Sequence, residues 1–129
     1  MSVYILFSTS WSAQNGGINA INYDLASALN ANAQEIFAIV SDATDSDISD
    51  AARLGVQLRV ASSDYSNLHN WLPALLEDLR PSLNGECLWI GHDTITGGAA
   101  LLARNIVGGK FVLVHHMDYA NYYQKKKKN

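Results

Sequence analysis

Cysteine occurs once in the 129 residues and proline twice. One thiol cannot make a disulfide, and the paired-cysteine spacings of structural zinc sites and redox couples are excluded with it. Cys87 sits inside an apolar stretch, as a small core residue in a reducing compartment does. No apolar run approaches the ~20 residues of a membrane span, and Met1 to Phe7 carries neither basic leader nor cleavage site. A cytoplasmic protein is expected. Charge is sparse, at 16% of residues, with nine Lys and Arg against twelve Asp and Glu. Four of the nine form the run Lys125 to Lys128, so the remainder is acidic. Nucleic-acid binding needs clustered cations that displace counterions, and an acidic body argues against it. The lysine run has no aromatic interleaving or apolar face and reads as a solvated end. Missing too are G-x-G-x-x-G, the lysine-bearing P-loop, G-x-S-x-G, Cys-x-x-Cys and H-E-x-x-H. Dinucleotide, NTPase, serine hydrolase, thioredoxin and zincin readings fail with them.

What is present is an alternation of short apolar runs with helical stripes, in a chain 48% hydrophobic and of one-domain size. Val3 to Phe7, Ile36 to Val40, Val56 to Val60, Cys87 to Ile90 and Phe111 to Val114 have the length and apolarity of strands covered on both faces. Between them, Ile18, Ile21, Leu25, Ala28 and Leu29 mark one helix. Ile48, Ala51, Ala52 and Leu54 mark a second, with Asp45 or Ser46 as N-cap and Gly55 as stop. A third runs from about Leu68 to Leu79, ended by Pro81 and either split or merely crossed by Pro73. A fourth precedes the turn Gly108-Gly109, and another begins over Tyr119 to Gln124. The pattern predicts an α/β fold: a doubly wound, Rossmann-like, mainly parallel five-stranded sheet with helices on both faces. It fills residues 1–124, with 125–129 a basic tail.

With the usual strand order 3-2-1-4-5, the first and fourth strands are neighbours where the winding reverses, and ligands of such sheets sit at that rim. The crevice is then lined by Trp11 to Gly17, by His92 to Thr96, and by His115 one strand further along. Gly16-Gly17 before a helix serves either a turn or the close approach of an anion to backbone N–H groups. His92, Asp93 and Thr96 offer hydrogen bonds to a hydroxyl-rich ligand, while Thr94 equally suits a helix cap. His115 and His116 point to opposite sides, and His115, which continues the strand, is the one assigned to the crevice. A metal on His92, Asp93 and His115 has no short ligand spacing behind it, so neither metal nor cofactor is assigned.

These segments together resemble the N-terminal domain of GT-B glycosyltransferases, particularly the retaining group that includes glycogen synthases and sucrose-synthase-like enzymes. The likeness spans most of the chain. It rests on the opening strand, the loop ending Gly16-Gly17 and the helix after it, and on Gly91-His92-Asp93-Thr94-Ile95-Thr96-Gly97, similar to a histidine-aspartate segment after the fourth strand. The third element is Val114-His115-His116-Met117-Asp118-Tyr119, similar to a valine-histidine segment after the fifth. The resemblance implies transfer of a sugar from a nucleotide-sugar donor to an acceptor hydroxyl with retention and without an obligatory metal. His115 is then the catalytic residue beside the donor sugar; Gly16 and Gly17 approach the donor phosphates, and His92, Asp93 and Thr96 bind substrate. Gln14-Asn15 stands where glycogen synthases carry a lysine, which argues against their substrate. The family's second Rossmann domain, with its paired glutamates, is not within these 129 residues. A second such domain or self-association is therefore an expected partner, and the chain alone is expected to show negligible turnover. The competing reading is a non-catalytic module that binds a sugar, a nucleotide or a protein.

Overall fold

Five runs rich in β-branched and aromatic residues form five strands: β1 Ser2–Phe7, β2 Glu35–Val40, β3 Val56–Val60, β4 Glu86–His92 and β5 Lys110–Val114. The computed structural model describes residues 2–9, 11, 25, 35–61, 65–92 and 95–114. Neighbouring strands are all parallel, in the order β3-β2-β1-β4-β5. Three helices join them within these residues: α1 Asp45–Arg53, α2 Leu68–Leu79 and α3 Ile95–Val107. The doubly wound architecture and the strand order are those the sequence predicts. No described helix is long and apolar enough to cross a membrane.

Side chains of a strand alternate between faces, and both faces here are covered. Val3, Ile5 and Phe7 of β1, Phe37 and Ile39 of β2, and Cys87 and Trp89 of β4 pack with Trp71, Leu72, Leu76 and Leu79 of α2 and with Ala99, Ala100 and Ala103 of α3. Leu6, Ile36, Ala38, Val56 and Ile90 pack on the other side with Ala51 of α1, Trp11 and the helical residue Leu25. This is why β1 and β2 read as unbroken apolar runs. The three alanines of α3 are fully buried, and their small size lets that helix lie close on β4. The turn into β5 needs glycine: Gly109 has φ of 105°, and a Cβ there would run into the Cys87 carbonyl oxygen.

Several boundaries differ from expectation for identifiable reasons. The N-cap of α1 is Thr44, not Asp45 or Ser46. A capping box needs an acid three residues on, and only Thr44 has one: the Asp47 N–H donates to the Thr44 hydroxyl at 3.1 Å and the Thr44 N–H to the Asp47 carboxylate at 3.0 Å. Gly55 ends the helix region as expected, with φ of 76°. Pro73 lies inside α2 without splitting it. The proline removes a bond to the His69 carbonyl, but both residues lie on the exposed face, where water can satisfy that oxygen, while Trp71, Leu72 and Leu76 hold the helix down. A 3-10 turn, Tyr65–Asn67, leads into α2, and another, Arg80–Ser82 with Pro81, follows it. β4 extends past Ile90 through Gly91 to His92 because β5 pairs alongside, Val114 against His92.

The two sheet edges differ in chemistry. On β3, Gln57 bonds Glu35 and Arg59 lies 5.6 Å above the Phe37 ring, a polar edge of the kind that resists strand addition. On β5, Val112 and Leu113 are exposed, at 38% and 44%, beside an exposed Lys110 that pairs with Glu86 at 3.0 Å.

The helix expected over Ile18 to Leu29 lies outside the described residues except for Leu25. The helix expected from Tyr119 and the 125–129 tail lie wholly outside them.

Candidate active site at the sheet's C-terminal rim

Parallel strands deliver their C-terminal ends to one rim. At β1 the winding reverses, with β2 on one side and β4 on the other. The β4 side is a tight corner, in which Asp93 and Thr94 alone separate the strand from α3. The Thr96 hydroxyl accepts from the His92 N–H at 2.8 Å and donates to the His92 carbonyl at 3.2 Å. Both backbone groups of the last strand residue are thereby engaged by one buried side chain. Gly91 is in direct contact with the first turn of α3: a Cβ on it would lie 2.6 Å from both the Gly97 Cα and the Thr96 carbonyl oxygen. His92 itself is 0% exposed and Thr96 3%.

The β1 side is held by a residue that sequence reasoning missed. Tyr65 is buried, edge-on to Phe7 and to Trp71, and its hydroxyl lies 2.7 Å from two carbonyl oxygens, those of Ser8 and Ile39. One proton is shared between them. Burial pushes the phenol well above its ordinary range, opposed only in part by the Ser8 bond, so the group stays a donor. The Ser8 N–H donates to the same Ile39 carbonyl at 3.0 Å and the Ser41 N–H to the Thr9 carbonyl at 3.1 Å. β1 and β2 therefore leave the sheet from a fixed point. A signal for Tyr65 existed: Leu68, Leu72, Leu76 and Leu79 form a stripe that extrapolates back to position 65.

Trp11, expected to line the crevice, does not. Its indole is buried against Leu6, Ala38 and Ala51, with Nε1 donating to Asp50 Oδ2 at 3.1 Å. The other Asp50 oxygen holds Arg53 at 2.8 Å. A large ring gains more by covering the sheet than by facing water, so Trp11 ties the β1 exit to α1 instead. Cys87 is a buried residue near the start of β4 whose thiol burial pushes up, which makes it a poor nucleophile. Of the residues predicted for the site, the structure brings His92 and Thr96 together at the β4 corner; Gly16, Gly17, Asp93 and His115 lie outside the described residues. Among the described residues no three His, Cys, Asp or Glu side chains are grouped as a metal would require.

The model of a protein family described as "Family 4 Glycosyltransferase in conflict systems" matches residues 5–129. The chain belongs to this family. For this family 4 glycosyltransferase domain no match is found among curated proteins or among solved structures. Membership identifies a GT-B-type, N-terminal-like glycosyltransferase module and does not extend to the glycogen synthase group. At the rim, Tyr65 staples the end of β1 to β2 and Thr96 staples the end of β4 to α3.

Proposed function

We propose that this family 4 domain forms the acceptor-side half of a GT-B transferase, binding a nucleotide sugar and an acceptor hydroxyl across the rim between β1 and β4. The observation that carries the reading is the family match over residues 5–129, joined to a strand order that sets the ends of β1 and β4 side by side. In it, Gly16 and Gly17 approach the donor diphosphate, His115 hydrogen-bonds the donor sugar, and Asp93 takes a hydroxyl. Such a site works by aligning the partners and by stabilising the charge of the departing phosphate. The acidic body of the chain supplies little of that positive field, which supports completion by a second domain or another copy. The family's description supports a role for that chemistry in conflict systems.

The test is calorimetric titration of the chain with UDP-glucose, GDP-mannose and the corresponding nucleoside diphosphates, with His115→Ala and Asp93→Asn as variants. Expected are binding of at least one probe, its loss in His115→Ala with an unchanged circular dichroism spectrum, and no turnover by the chain alone. Absence of binding by every probe refutes the reading. Binding that both variants leave untouched moves the site away from this rim.

A further inference from the structure

We infer that Thr96 is a positioning residue for the β4–α3 corner rather than a group that touches substrate. The inference rests on the site proposed above. A hydroxyl offers one proton and accepts through its lone pairs. That of Thr96 gives its proton to the His92 carbonyl and accepts from the His92 N–H, at 3.2 and 2.8 Å. Its polar capacity is directed at the backbone, and the residue is buried. His92, with no exposed surface, lies under the corner and not on it.

Three contacts fix the same point. The Thr96 hydroxyl clamps the last residue of β4. The bare Gly91 backbone lets the first turn of α3 sit against the strand, with no room for a Cβ. From the far side, Leu113 of β5 reaches Gly97, where an added Cβ would lie 2.8 Å from its Cδ1. Both ends of the two-residue connection Asp93-Thr94 are therefore pinned, by strand register on one side and by the helix on the other. Direction at a site counts as much as the group it carries, since a misplacement of about 1 Å can cost about a hundredfold in rate. Thr96 fixes the point at which β4 ends against α3.

The experiment compares Thr96→Val, of the same shape but without the hydroxyl, with Thr96→Ser, which keeps it, and with Thr44→Ala, a cap loss on α1 that controls for lowered stability. Titration uses whichever of UDP-glucose and GDP-mannose binds the wild-type chain, alongside amide hydrogen exchange at His92. Expected for Thr96→Val are binding weakened by about tenfold or more and faster exchange at His92. Thr96→Ser and Thr44→Ala should stay within about twofold of wild type in binding. Should Thr96→Val fail to fold, Thr96→Cys, with a weaker donor and acceptor of similar size, is read in the same way. A folded Thr96→Val that binds as tightly as wild type overturns the positioning role and leaves the site reading intact. Equal weakening in Thr44→Ala overturns it as well, by showing a plain stability effect. Failure of every probe to bind the wild-type chain overturns the site reading itself.

Discussion

Replacing Gly91, Gly97 and Gly98 by alanine, one at a time, should give three different results from one chemical change. At Gly91 the new methyl meets backbone: the Gly97 Cα and the Thr96 carbonyl oxygen at 2.6 Å and the Gly97 nitrogen at 2.9 Å. Ordinary carbon contacts are ~3.5–4.0 Å, so α3 has to retreat from β4 by about 1 Å. Overpacking costs ~1–3 kcal/mol when side chains can give way; here the obstacle is a helix end also bonded to His92, which puts the cost at about 3 kcal/mol. At Gly97 the obstacle is the tip of Leu113, at 2.8 Å, a side chain 44% exposed and free to turn aside. The gain of up to ~1 kcal/mol in helix propensity offsets that displacement, and the net change is within about 1 kcal/mol of zero. At Gly98 the nearest atom is Leu68 Cδ1, at 3.9 Å, and the position is exposed. Alanine there should stabilise by ~0.5–1 kcal/mol. Urea denaturation followed by circular dichroism reads all three. With a slope of about 1.5 kcal/mol per molar, Gly91→Ala should lower the midpoint by about 2 M and Gly98→Ala raise it by about 0.5 M. A Gly91→Ala midpoint within about 0.5 M of wild type, or below-wild-type stability for Gly98→Ala alone, would refute the packing described for this corner.

Tyr65→Phe removes the proton shared by Ser8 and Ile39 and should cost about 2 kcal/mol, since the Ser8 carbonyl is left without the phenol while Ile39 keeps its bond from Ser8. Because the folded state holds the Tyr65 proton more tightly than the unfolded state, its contribution is fully present below the ordinary phenol range near 10 and is lost as pH rises above it. Stability measured from pH 8 to 11 should accordingly fall less steeply in Tyr65→Phe than in wild type, and equal slopes would count against the assignment. Thr44→Ala removes the hydroxyl that accepts from the Asp47 N–H, while the backbone N–H of residue 44 can still donate to the Asp47 carboxylate, and should lower stability by about 1 kcal/mol, read as a urea midpoint; because the box is exposed, a loss of 3 kcal/mol or more would point to a packing role that the structure does not contain.

The sheet was legible in the sequence because burial on both faces leaves a signature that survives without coordinates. Val3 to Phe7 and Ile36 to Val40 have the length and apolarity of interior strands, and the alternation with helical stripes pointed to parallel pairing and a rim. The details that escaped are those decided by atoms from elsewhere in the chain. Gly91 has no preference for a strand and becomes one because β5 lies alongside. Trp11 sits in a polar stretch that reads as loop, yet the indole is drawn under by α1, which is remote in sequence. Thr96 and Tyr65 each carry a hydroxyl whose partner is a main-chain group, and main-chain groups have no letter in a sequence. Of the six residues predicted for the site, the structure describes His92 and Thr96, both buried at the corner. Their burial follows from the close seating of α3, a matter of distance that residue type alone does not encode.

The place of β1 in the sheet has a consequence for how the molecule is made. Of the five described strands it is the first to be synthesised and the middle one in the finished layer, with Ser2 paired to Glu86. On the order of 80 residues must be synthesised before that flank is closed, and contacts so distant in sequence form slowly. During that interval β2 is the neighbour available to β1, and the apolar flank awaiting β4 is open to whatever meets it. Conditions that prolong the wait should therefore favour aggregation of the nascent chain over loss of the completed one.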